Sequence, residues 1–192
     1  MTSPCFRMSQ PSPPPSVSPA MPVVETKPMI AAVDGLAIGV GTTMLFHCDL
    51  VYATPTASLR TPFLDLGLVP EAASSLTAVL RMGYARAFEL LCLGEPFNAE
   101  RARDAGIVNA IVPADQLEAV AMKAAVRLTK KPHDALMAAR RLMRSQGEAF
   151  SAQIEAEAKV FQTRMKSAEA QEAFAAFFEK RPPDFAKLRR KS

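Results

Sequence analysis

Cysteine is scarce in this chain of 192 residues: Cys5, Cys48 and Cys92 are odd in number and widely spaced. That pattern supports neither a disulfide framework nor a metal site, and reduced thiols in a cytoplasmic protein are expected. Long hydrophobic runs are missing too. The longest, Met29 to Val33 and Leu36 to Val40, are broken by Asp34 or glycine and fall far below the roughly twenty residues that cross a bilayer. The N-terminus has no basic region followed by an uninterrupted apolar stretch, so no secretory signal is read and no membrane partner is expected. Aromatic residues are not interleaved with basic ones and no nucleic-acid module is found, which excludes DNA and RNA as expected partners. The formal charge is only +4, with much of the surplus in Arg181, Lys187, Arg189, Arg190 and Lys191, read as a solvated basic tail.

What remains is an ordinary globular composition, 49% hydrophobic and long enough for one domain with a real core. Residues 1–26 hold Pro4, Pro11, Pro13, Pro14, Pro15, Pro19 and Pro22 among serines, and a disordered tail is expected there. From Lys27 the pattern changes. Met29 to Val33 reads as a buried strand closed by the turn Asp34-Gly35. A glycine-rich turn, Gly39-Val40-Gly41, precedes a helix-like run from Thr42 to His47, where glycine lets backbone N–H groups approach a ligand. Strands are expected at Leu50 to Ala53, Ala57 to Arg60 and Ile107 to Val112. Ser74 or Ser75 is the expected cap of a helix in which Leu76, Val79 and Leu80 share a face, followed by a helix carrying Tyr84, Phe88 and Leu91 and ended by Gly94. Asn98 is expected to start a short helix ending at Gly106. After Pro113 only helical stripes appear: Leu117, Val120, Ala121, Ala124, Ala125 and Leu128, then Leu136, Ala139 and Met143, then Phe150, Ile154, Phe161 and Met165, and Phe174, Phe177 and Phe178.

The stretch from Lys27 through Asp34-Gly35 to Gly39-Val40-Gly41 resembles the signature of the crotonase (enoyl-CoA hydratase/isomerase) superfamily. The likeness continues through Cys48-Asp49, the Thr61-Pro62 to Gly67 loop, Leu93-Gly94, Asn98-Ala99, Ala105 to Val108 and Glu172 to Arg181, covering about Lys27 to Leu188. It implies an α/β fold, a spiral of β-β-α turns (residues 27–112, a partial, truncated crotonase core) followed by a C-terminal helical subdomain (residues 113–192) suited to oligomerisation as a homotrimer or hexamer. Some seventy to eighty further residues, with a second oxyanion donor, normally precede the Lys27-Pro28 position in this family. The implied substrate is a coenzyme A thioester, with no cofactor and no metal.

By this resemblance Val40, between Gly39 and Gly41, supplies one N–H of an oxyanion hole, and Pro62, Phe63 and Leu66 lie in the substrate-binding loop. The two carboxylates of the family's hydratases fall at Thr43 and Phe63, so a water-activating pair is missing here. Thr61 to Gly67 followed by Pro70-Glu71 instead resembles the peroxisomal-type 3-enoyl-CoA isomerase branch, in which a glutamate at the position of Glu71 shuttles the proton. Ala72 stands where that branch has glycine. Phe63, Leu66, Leu68 and Val69 are expected to raise the pKa of Glu71 and to line an acyl pocket. As a bare helix-terminal charge Glu71 would instead be worth only about 0.3–1 kcal/mol. His47 and His133 read as structural, and Asp65 as a solvated loop carboxylate. The alternatives are a hydratase-like enzyme, a non-catalytic binding module, or an inactive remnant.

Overall fold

The computed structural model describes residues 27–189; the tail expected over residues 1–26 lies outside the described residues. Among the described residues six short strands occur: β1 (Ile30–Val33), β2 (Leu36–Ile38), β3 (Leu50–Ala53), β4 (Ser58–Arg60), β5 (Phe97–Asn98) and β6 (Ala110–Ile111). They form two three-stranded sheets. In the first, β1, β3 and β6 lie side by side and all parallel, with Ile30 opposite Leu50 and Tyr52 opposite Ala110. In the second, β4 pairs with β2 in parallel and with β5 antiparallel. The chain alternates between the two sheets because the Asp34-Gly35 turn carries β1 of one directly into β2 of the other, with Gly35 at φ +79°.

Helices surround the sheets: α1 (Val40–Thr43), which runs on as a tighter 3-10 turn through Met44–His47, α2 (Ser74–Met82), α3 (Tyr84–Phe88) and α4 (Ala99–Asp104). Beyond β6 the described chain is helical: α5 (Leu117–Thr129), α6 (His133–Met143), α7 (Gly147–Met165), α8 (Ala168–Phe178) and α9 (Phe185–Arg189). The core holds Val51, Ala53, Leu59, Leu90, Phe97 and Ile107, each almost fully buried, with Phe63 and Leu68 from the Thr61–Ala73 loop packed into it. Burying large apolar side chains of this kind stabilises by about 1.5–3 kcal/mol each, which fixes the two sheets against α2 to α4.

Several local expectations hold for physical reasons that are now visible. Asn98 Oδ1 accepts from the Arg101 N–H at 2.9 Å and caps α4, and the predicted stripe of α5 is its inward face, with Leu117 buried and Leu128 partly so. Others differ. The run Leu36 to Ile38, for which no strand was expected, is strand β2. The strand expected over Ile107 to Val112 shrinks to two residues: Ile107 and Val108 are buried off the ladder, and Asn109 ties in through its side chain, which accepts from the Val51 N–H at 2.7 Å. In α2 the inner face is Ser74, Thr77 and Ala78, while Leu80 is exposed; in α3 and the wide turn after it Ala87, Leu90 and Leu91 go inside, while Tyr84 and Phe88 stay outside. In α6 the buried positions are Met137 and Arg140, not Ala139 and Met143, and Arg140 Nε donates to Asp49 at 2.9 Å from this face. In α8 the small residues Ala170, Ala173 and Ala176 pack inward and leave Phe177 and Phe178 exposed.

Candidate active site

Local sequence sets up the first half of the site. Gly39 sits at φ +59° and ψ −120°, a conformation closed to residues with a Cβ, and its N–H donates to the Arg60 carbonyl at 2.8 Å. That sharp turn ends β2 and starts α1 at Val40, whose N–H therefore lies in the first helical turn, where no intrahelical acceptor exists. Gly41 has no such constraint: an added Cβ would stand 4.0 Å from the Ala37 Cβ, ordinary contact. The Thr42 hydroxyl then locks α1 to the second sheet, donating to the Ala37 carbonyl at 2.6 Å and accepting from the Arg60 N–H at 3.2 Å.

The second half is the loop Thr61–Ala73. Gly67, at φ +67°, lets the chain pass the start of α8 so closely that a Cβ there would lie 2.7 Å from the Ala170 nitrogen. Phe63 and Leu68 are buried, while Pro62, Leu66 and Val69 are partly buried. Asp65 pairs at the surface with Arg60 at 3.1 Å, in agreement with a solvated loop carboxylate.

Three consecutive residues of this loop are then pinned by three different elements. The Thr43 hydroxyl donates to Glu71 Oε1 at 3.1 Å. The buried His47 ring meets the Ala72 carbonyl at 2.7 Å through Nε2. The Ala73 N–H donates to Glu157 Oε2 at 2.6 Å. Ala72 and Ala73 are both left-handed, at φ 59° and 56°, a conformation costing roughly 1–2 kcal/mol per residue with a Cβ. These contacts hold it in place. Glu157, on α7, also accepts the Ser75 N–H at 3.0 Å and the Ser75 hydroxyl, so the start of α2 is capped by a carboxylate 82 residues away rather than by Ser74 or Ser75.

Electrostatics follow from this packing. Burial raises the pKa of Glu71 above the ordinary carboxylate range, and the hydrogen bond from Thr43 partly opposes the shift by favouring the charged form. Burial also raises Glu157, against the pull of the Ser75 and Ala73 donors, with a further upward push from the charge of Glu71. His47 is shifted down, first by burial, so its ring is neutral with Nε2–H aimed at the Ala72 carbonyl. His133 is exposed.

Thus the structure brings Glu71 against Thr43, one helical turn along α1 from Val40, about 5 Å of rise. A half-buried carboxyl with a raised pKa beside a helix N-terminus can hold a proton and deliver it to a neighbouring anionic centre. Sequence reasoning did not assign three partners of this site. Thr43 figured only as a missing carboxylate, His47 had no signal linking it to Ala72, and Glu157 lies too far along the chain for any local pattern.

Residues 22–188 match the family model described as enoyl-CoA hydratase/isomerase. The chain belongs to that family, and its α/β architecture with a C-terminal helical region is the crotonase fold. A crystal structure of an enoyl-CoA hydratase/isomerase from Pseudoalteromonas atlantica superposes with a TM-score of 0.80 at 42% identity, covering 83% of this chain and 65% of that one. The 2,3-dehydroadipyl-CoA hydratase of Escherichia coli is 32% identical over 83% of this chain and 63% of its own length. Enoyl-CoA delta isomerase 2 of Rattus norvegicus is 33% identical over 81% of this chain and 40% of its own. The chain spans less than two thirds of the length of each of these relatives.

Proposed function

We propose that this protein is a cytoplasmic enzyme that binds acyl-CoA thioesters and isomerises 3-enoyl-CoA to 2-enoyl-CoA, with Glu71 as its acid–base residue. The observation that carries the proposal is a single half-buried carboxyl, shifted upward in pKa and held by Thr43 one turn from the Val40 N–H. As the carboxylate, Glu71 removes a proton from C2 of the 3-enoyl thioester. The C–H electrons move into the carbonyl, and the Val40 N–H bonds the developing oxyanion. The protonated carboxyl then gives the proton to C4 as the double bond shifts to C2–C3. The sum is a 1,3 shift of hydrogen, so atoms and electrons balance without a cofactor. Gly39 and Gly41 keep the backbone near the thioester open, and Pro62, Phe63 and Leu66 border the acyl chain.

Water addition would need a second acid–base group. With Thr43 and Phe63 at the two positions that carry carboxylates in hydratases of the resembling family, isomerisation fits the residues better. Self-association as a homotrimer or hexamer accords with the exposed Val160, Met165, Phe177 and Phe178 of the C-terminal helices. The test is turnover of a 3-enoyl-CoA and a 2-enoyl-CoA side by side. Selective conversion of the first, reduced at least a hundredfold in Glu71→Gln, is expected; hydration of the second, or a glutamine variant within a few-fold of the parent, overturns the assignment.

A further inference from the structure

At the opposite end of the segment that starts at Val40, a cleft of about 510 Å³ opens where Phe46 to Asp49, α2 and the α6–α7 turn meet, and Glu71 is not among its lining residues. Its wall carries three guanidiniums, those of Arg81, Arg140 and Arg144, and one carboxylate, Asp49. Asp49 is already engaged. It accepts the Met29 N–H at 2.7 Å and Arg140 Nε at 2.9 and 3.1 Å, and lies 3.6 Å from Arg144 Nε. Arg81 donates instead to the Phe46 carbonyl at 3.1 Å and stands 5.9 Å from the centre of the Phe46 ring; no ion pair among the described residues includes it.

Capping is the plain role for these side chains. Arg81 and Arg144 donate to the Phe46 and His47 carbonyls at the C-terminal end of the 3-10 turn, where cations are favoured. Each such bond uses one of the five N–H donors on a guanidinium. With the Arg140–Asp49 pair set aside, the guanidiniums of Arg81 and Arg144 have no second carboxylate in the described lining of the cleft, and burial, then the charge of Arg144, push the Arg81 pKa down. Like charges packed in this way leave a favourable place for an anion. The exposed Ser145 and Gln146 add hydroxyl and amide donors at the lip, and Leu80, Met143 and Phe150 add apolar wall.

We propose that this cleft is a binding site for a phosphoryl group, distinct from the Glu71 site and independent of the isomerase reading. A planar guanidinium fork matches phosphate oxygens two at a time, and several forks around one cleft favour a dianionic tetrahedral group over a monocarboxylate. Inorganic phosphate and a phosphate monoester share this chemistry; the apolar wall favours an ester with a flat organic body.

The experiment is calorimetric titration of the full chain with inorganic phosphate, AMP and adenosine, repeated in higher salt. One-to-one binding of phosphate and AMP, weakened by salt, with no binding of adenosine, is expected. AMP binding more tightly than phosphate identifies an ester as the ligand, and equal affinities identify phosphate itself. Arg144→Gln is expected to weaken binding tenfold or more. Gln146→Glu keeps every arginine, changes only an exposed side chain and is expected to weaken it at least as much, while the melting temperature of the unliganded protein stays unchanged. Absence of binding at millimolar phosphate, or unchanged affinity in Gln146→Glu, would each overturn the proposal.

Discussion

At Glu71 two effects compete: burial favours the neutral acid, and the Thr43 hydroxyl favours the carboxylate. Thr43→Val keeps the side-chain shape, removes the donor and raises the pKa further. On the proposed role of Glu71 as base, the ascending limb of kcat/KM against pH should therefore move to higher pH, with little change in the plateau. A limb that moves to lower pH would show that Thr43 does not act on the ionised form. The same shift has a stability consequence. A carboxyl whose folded pKa lies above its unfolded value, 4.5, contributes stability that is present below that value and lost as pH rises through the folded pKa. Wild-type protein should lose melting temperature across this window, and Glu71→Gln should lose less of it. The glutamate itself was legible in the sequence because it falls inside a motif. The contacts that hold it and the two residues after it were not, since Thr43, His47 and Glu157 meet Glu71, Ala72 and Ala73 only after folding.

At the scale of elements, the loop between Gly67 and α2 is held by backbone geometry that sequence states only in part. Gly67→Ala forces a Cβ into the backbone at Glu169 and Ala170 and into a left-handed conformation, and should cost about 2 kcal/mol or more in chemical denaturation. Ala72→Gly changes a left-handed alanine to the residue that prefers that region and should gain up to about 1 kcal/mol. Together they separate strain from mere sensitivity of the loop. Glu157→Ala leaves the Ala73 N–H and both Ser75 donors without their acceptor and should destabilise by about 1–3 kcal/mol, although α7 itself loses no propensity. The helical period found α5 correctly because only apolar contacts decide its orientation. In α6 it did not find the buried pair Met137 and Arg140, the latter joined to Asp49, and in α8 it did not show that the alanines Ala170, Ala173 and Ala176 pack inward while Phe177 and Phe178 stay outside.

For the molecule as a whole, β1 and β2 are edge strands among the described residues, each paired on one side only, and Leu36, Ile38, Val40 and Met44 stand about half exposed or more beside them. Such a surface favours association through strand addition and apolar contact. Leu36→Lys, at a position 75% exposed, should reduce concentration-dependent association in sedimentation without lowering the melting temperature; an unchanged distribution would place self-association elsewhere. By itself the sequence determined the family, the Gly35 and Gly39 turns, the Asn98 cap and most strand positions, because these depend on residue type at short spacing. Only the tertiary structure decided the splitting of the strands into two sheets, the inward faces of α2, α6 and α8, the capping of α2 by Glu157 and the gathering of three arginines into one cleft. Those depend on which distant groups become neighbours, and burial and charge act through neighbours in space.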